Sequence, residues 1–226
     1  PESKPSMQSQ KPLALETMPP GTDAMCRYCF CGAEEDSQLI SPCKCKGGQK
    51  FENSVPIYET AKEAVNKTGA KITAGVNEIP YLNIENTVHT VSDGDSIKLG
   101  EVEIQIIETP GHTAGGICYL LDEHLIAGDT LFVYGVGICS LAGSNPVKLF
   151  HSLNKLKTQV PDDIHLLCGH NYGSEITTTL AEQKRANPFL LIEDEETFVR
   201  YRMHVHDSTR TYPMSPMTLE EVNALL

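Results

Sequence analysis

Three short segments of this chain carry side chains suited to holding a metal ion. They are ETPGHTAGG at 108–116, AGDTLFVYGVG at 127–137 and CGHNYG at 168–173. Each follows an apolar run with strand character: the stretch Val102–Ile107, then HLIA, then IHLL. Each therefore sets one metal-competent side chain, His112, Asp129 or His170, just beyond the C-terminal end of a strand. Glycines frame all three, which permits sharp turns and close backbone approach. Two neutral imidazoles and a carboxylate are suitable zinc or iron ligands. One such loop alone reads as an ordinary turn, because Asp and Gly are common turn formers and a lone His after a strand is usually a turn or core residue. Three of the same design in one chain point to a shared site at one end of a sheet.

The elements that must position these loops are readable in outline. YETAKEAVNKTGAKI (58–72) places Ala61, Ala64, Val65 and Ala70 near helical spacing, with Thr68-Gly69 as a stop, and a short strand follows at 70–74. IKLGEVEIQIIE (97–108) predicts a hairpin around Leu99-Gly100, with Val102, Ile104 and Ile106 on one buried face. ICYLL (117–121), HLIAG (124–128) and IHLLCG (164–169) read as short strands, and NPVKLFHSLNKL (145–156) as a helix between the last two. TLEEVNALL (218–226) carries a capping box, Thr218 with Glu221. Mixed strands and helices of this kind predict a layered α/β domain.

Bulk properties narrow the function. The chain has 226 residues, enough for one domain and a small appended module, and 40% are hydrophobic. A net charge of −12 argues against nucleic acid as partner and favours small molecules or other proteins. No apolar run approaches the roughly 18 residues of a membrane span. PESKPSMQSQKPL, the first segment, has no apolar core of a signal peptide and no initiator Met. Five of the eight cysteines fall between 26 and 45 with CxxC and CxC spacings. That pattern favours metal binding in a reducing compartment, so a cytoplasmic location is expected.

TPGHT, GDTLFVYGVG and CGHNYG, in this order and spacing, resemble the second half of the metallo-β-lactamase superfamily, most closely its glyoxalase II-like (hydroxyacylglutathione hydrolase) branch. The resemblance runs from about 58 to 200 and implies an αββα sandwich. It also implies that His112 binds one metal, Asp129 bridges two and His170 binds the second, with His112 and Asp129 serving catalysis. The chemistry implied is hydrolysis of a thioester or related ester by metal-bound hydroxide, and the partner a small-molecule thioester. Zinc is the expected metal; a related branch of dioxygenases makes iron the alternative at the same three residues. The family also carries an HxHxDH motif, which by position should fall near Glu52–Ile57, where this chain reads ENSVPI. The sandwich is therefore expected to be incomplete.

CRYCFCGAEEDSQLISPCKCKGGQKF (26–51) resembles the opening of a RING-CH zinc finger, a module of certain ubiquitin ligases. The resemblance implies Cys26, Cys29, Cys43 and Cys45 as zinc ligands, with Cys31 outside the pattern and a ubiquitin-pathway protein as partner. The later ligands of that finger have no counterpart, since Asn53 and Pro56 stand in their places. The expected organisation is a disordered tail at 1–22, a partial RING-CH-like cluster at 23–51 and a truncated metallo-β-lactamase-like domain at 54–226. Two functions follow: a metal-dependent hydrolase, or a non-catalytic zinc-binding protein. A fragment without function of its own is the third reading.

Other candidates are set outside the site. HVHD (204–207) is an H-x-H followed by an acid, but it lies beyond the last loop. Glu52 is the only acid near the missing motif. His89, His124, His151 and His165 read as surface or core residues. Cys118 and Cys168 read as buried small hydrophobes, Cys139 has no evident base partner, and IEDEE (192–196) reads as a solvated face.

Overall fold

Alternating burial along the strands builds the sheet that carries the three loops. The computed structural model describes residues 65–82 and 88–226. The tail, the cysteine segment with Cys26, Cys29, Cys43 and Cys45, and Glu52–Ile57 lie outside the described residues. Within them run β1 (Ile72–Gly75), a 3₁₀ segment (Val76–Tyr81), β2 (Val88–Val91), β3 (Ser96–Leu99), β4 (Val102–Glu108), β5 (Ile117–Leu121), β6 (His124–Gly128), helix α1 (Pro146–Gln159) and β7 (His165–Cys168). Helices follow: α2 (Leu180–Ala186), α3 (Pro188–Leu191), α4 (Glu195–Arg200), a π-helical turn (Tyr201–Val205), α5 (His206–Thr209) and α6 (Leu219–Leu225).

The main sheet has the order β3-β4-β5-β6-β7. Its first four strands are antiparallel neighbours, and β7 joins β6 in parallel. The crossover between β6 and β7 passes through α1, the connection a parallel pair requires. β1 and β2 form a separate parallel pair. One face of the main sheet contributes Ile107, Cys118, Leu125, Ala127, Leu166 and Cys168 to the larger core, under the helices. The other face carries Ile104, Ile106 and Tyr119, which pack with Val91 of β2. The hairpin at 97–108 and the strands at 117–121 and 124–128 form where the sequence predicts them. Val102 differs from expectation: it is 40% exposed, because it pairs with the equally exposed Leu99 where the hairpin tip runs past the core.

Helix α1 buries Leu149, Phe150, Leu153 and Leu156 on one face, as amphipathic spacing requires. Asn145 starts it: the side chain accepts from the Lys148 N–H at 3.0 Å, and Pro146 takes the first turn. The helix continues to Gln159, past the predicted end. Asn145→Ala is expected to lower stability by about 1 kcal/mol, read as a shifted urea midpoint with an unchanged slope.

The chain after β7 is more helical than the sequence reading foresaw. HVHD lies in the π-helical turn and α5, not on a strand. His206 is buried there against the rings of Phe189 and Tyr201. In the IEDEE stretch Asp194 caps α4, accepting from the Thr197 N–H at 2.7 Å, while Glu195 meets His151 at 2.9 Å. No helix among the described residues is long and apolar enough to cross a membrane.

Candidate metal centre

Strand direction brings the three loops together. β5 is antiparallel to both β4 and β6, so β4 and β6 point the same way, and β7 runs parallel to β6. The C-terminal ends of β4, β6 and β7 therefore share one edge of the sheet. His112, Asp129 and His170 follow those three ends. The His112 Nε2 lies 3.3 Å from Asp129 Oδ2, and the His170 Nε2 lies 3.5 Å from the same oxygen.

Each loop is fastened before it presents its side chain. The Pro110 carbonyl accepts from Ser152 Oγ at 2.7 Å, and the Gly111 carbonyl accepts from the Asn145 N–H at 2.8 Å, which ties the His112 loop to the start of α1. The buried Glu78, in the 3₁₀ segment, accepts from the Gly115 N–H at 2.8 Å. Thr109 and Thr130 share a hydroxyl hydrogen bond of 2.9 Å between the His112 and Asp129 loops. The Gly169 N–H donates to the Gly128 carbonyl at 2.8 Å, joining the Asp129 and His170 loops. Two glycines are needed for close approach. A Cβ at Gly137 would sit 2.2 Å from the Asp129 carbonyl oxygen and 2.7 Å from His112 Nδ1, and one at Gly169 would sit 2.1 Å from Asp129 Oδ1.

The hydrogen-bonding pattern defines what the site can hold. His112 Nδ1 is 2.7 Å from the Ile138 carbonyl, which can only accept, so the proton is assigned to Nδ1. Nε2 then turns a lone pair toward a carboxylate oxygen. Two acceptors at 3.3 Å are satisfied by a cation between them, either a proton on Nε2 or a metal ion. Burial by itself raises the Asp129 carboxyl, but the His112 and His170 imidazoles facing it hold it below the usual carboxylate range. Two donors each about 2.0–2.2 Å from one tetrahedral zinc stand roughly 3.4 Å apart. The spacings of 3.3 Å and 3.5 Å fit that edge length, and the donor set suits zinc or iron. Among the described residues no group of three or more such side chains closes around a single point. The three meet pairwise, through Asp129 Oδ2.

The remaining candidates stand apart from this chemistry. Cys139 directly follows the carbonyl that anchors His112, but burial pushes its thiol up to about 11. Cys118 is likewise raised to about 11 by burial, and sits 3.3 Å from Thr109 Oγ1 as a packed core residue. His89, His124, His151 and His165 are exposed. The sequence reading missed Glu78, Gln183 and Asn187, which hold loops of the site from behind. Asn187-Pro188 is a helix-start signal, yet nothing local marks its contact with the Asp129 loop.

Comparisons with known proteins identify the family. Residues 49–170, just over half of the chain, match the family described as the Metallo-beta-lactamase superfamily. The match begins just inside the end of the cysteine segment read at 23–51. "Probable polyketide biosynthesis zinc-dependent hydrolase BaeB" of Bacillus velezensis is 39% identical over 112 residues, 50% of this chain and 50% of that protein. The hydroxyacylglutathione hydrolase of Maricaulis maris is 31% identical over 182 residues, 64% of this chain and 68% of that one. ETHE1 from Myxococcus xanthus superposes with a TM-score of 0.58 at 27% identity, over 73% of this chain and 67% of that chain. The chain spans 50% and 60% of the two Bacillus hydrolases it matches. With the expected α/β architecture in place and the match covering residues 49–170, this chain belongs to the metallo-β-lactamase superfamily.

Proposed function

We propose that this chain is a metal-dependent hydrolase of thioesters or related esters, with His112, Asp129 and His170 as its metal ligands. One observation carries the reading: both imidazole Nε2 atoms approach the same buried carboxylate oxygen, and His112 has its other nitrogen occupied by a carbonyl. What a divalent ion supplies when bound there is Lewis acidity toward a water and toward an ester carbonyl. The Ile138 carbonyl keeps the proton on His112 Nδ1 and so leaves Nε2 basic, the role of an outer-shell acceptor in metal sites. Asp129 contributes the negative charge, held ionised by its two histidine neighbours. His170 is kept in place by the ring of Tyr172, stacked at 4.9 Å, and by the edge contact with Phe132 at 5.8 Å. Zinc is the first choice, in line with the zinc-dependent hydrolases among the relatives, and iron the alternative for the same donors.

The test is hydrolysis of S-lactoylglutathione by the zinc-loaded full chain. The expected result is turnover that stops on chelation and falls about 100-fold or more in His112→Ala, equivalent to a few kcal/mol of lost transition-state stabilisation. Equal rates in His112→Ala and the parent protein would remove the reading.

A non-catalytic zinc-binding role is favoured by a separate observation. ENSVPI at 52–57 has no histidine where the family resemblance expects HxHxDH. In that reading metal is held only by the cysteines, no thioester is cleaved at any loading with zinc or iron, and the cysteine segment captures a ubiquitin-conjugating enzyme.

A further inference from the structure

Between Asp129 and Ile138 the chain makes a tight turn whose conformation is unfavourable by itself. Phe132 and Gly135 bridge each other, N–H to carbonyl at 2.9 Å and 3.3 Å. Tyr134, inside the turn, has φ +59 although it carries a full side chain. Such a residue persists only where its surroundings hold it.

Two buried amides do the holding. Gln183 of α2 and Asn187, which follows α2, are both 0% exposed. Gln183 Oε1 accepts from the Tyr134 N–H at 2.7 Å. Asn187 Nδ2 donates to the Phe132 carbonyl at 3.3 Å, the Gly135 carbonyl at 3.2 Å and Gln183 Oε1 at 2.9 Å. Asn187 Oδ1 is already used, capping the next helix through the Phe189 N–H at 3.0 Å. Gln183 Nε2 makes no hydrogen bond among the described residues, so the carboxamide sits there for its oxygen.

The clamped turn is linked to every candidate ligand, to His170 directly and to Asp129 and His112 through the residues on either side of it. It starts just after Asp129. It leads into Gly137, where any side chain would collide with the Asp129 carbonyl and the His112 ring, and then into Ile138, whose carbonyl fixes the His112 tautomer. Its Phe132 ring buttresses His170. We infer that Gln183 and Asn187 are positioning residues of the metal centre, which set the spacing of His112, Asp129 and His170 by holding the 132–135 turn in its strained form. This rests on the metal-centre reading above and adds residues that touch neither metal nor substrate.

The experiment measures Co(II) affinity by chelator competition on the full chain. The background carries Cys26→Ser, Cys29→Ser, Cys31→Ser, Cys43→Ser and Cys45→Ser, so that the cysteines do not compete. Gln183→Met keeps the volume and removes the acceptor; it is expected to weaken Co(II) binding about 10–100-fold, the usual effect of losing an outer-shell partner. Asn187→Asp keeps the helix cap and removes the donors, and is expected to weaken binding in the same range. Gln183→Glu retains the acceptor oxygen and is expected to restore affinity toward the parent value. Leu156→Ala, about three turns along α1 from Asn145, is the stability control, and should lower the melting temperature of the metal-free protein without changing affinity. Overturning results are Gln183→Met and Asn187→Asp both binding Co(II) like the parent, or both losing affinity only in step with Leu156→Ala. A parent protein that binds no Co(II) would instead remove the metal-centre reading, and this inference with it.

Discussion

Asp129→Ala is expected to remove metal from the three-loop centre altogether and to abolish hydrolysis, with the fall in rate reaching about 10³-fold or more. The reason is geometric. Both histidines face the same Asp129 oxygen, so one substitution breaks both contacts, whereas His112→Ala or His170→Ala breaks one. The remaining imidazoles would have no anion between them to offset the charge of a divalent ion in a buried site. Elemental analysis of purified protein is the direct reading. About one equivalent should be lost in Asp129→Ala, and any metal that remains should be sensitive to Cys26→Ser and Cys43→Ser. Equal metal content in Asp129→Ala and the parent would place all of the metal elsewhere.

Acid should destabilise this fold through one imidazole in particular. His206 is held at about 4, against 6.5 for the free group, first by burial and then by the Arg202 guanidinium beside it, with Asp207 opposing. Its Nδ1 is 2.9 Å from Arg202 Nη1, which can only donate, so the neutral ring accepts there. Phe189 and Tyr201 supply the apolar walls, and Arg210 adds a second positive charge nearby. The folded pKa lies below the unfolded one, so between them the unfolded chain binds a proton that the folded chain refuses. The contribution is present in full above 6.5 and is lost as the pH falls toward 4. A shift of that size corresponds to about 3 kcal/mol. Urea unfolding from pH 7 to pH 4 should show His206→Gln losing less stability over the window than the parent, by roughly that amount. Parallel curves for the two proteins would contradict it.

The three ligand candidates were legible in the sequence because their signal is local. A polar residue set among glycines after an apolar run reads as a loop at a strand end, wherever that strand goes. The hairpin at 97–108 and the helix from Pro146 were legible for the same reason: alternation, amphipathic spacing and an Asn-Pro start act over a few residues. The resemblance of the three loops to a known family carried the fold class further than periodicity alone.

What the sequence did not contain is which strand lies beside which, and how each is directed. The convergence of His112, Asp129 and His170 depends on β5 reversing between β4 and β6, and on α1 returning the chain to lay β7 parallel to β6. HVHD has the alternation of a strand, yet it is helical, because burying His206 and Tyr201 against Phe189 outweighs local pattern. Glu78, Gln183 and Asn187 look like ordinary polar residues of surface helices. They become fasteners of the site only because folding buries them against backbone groups of loops 37 to 55 residues away. A buried amide or carboxylate must find a partner, and that requirement exists only once the tertiary structure has excluded water.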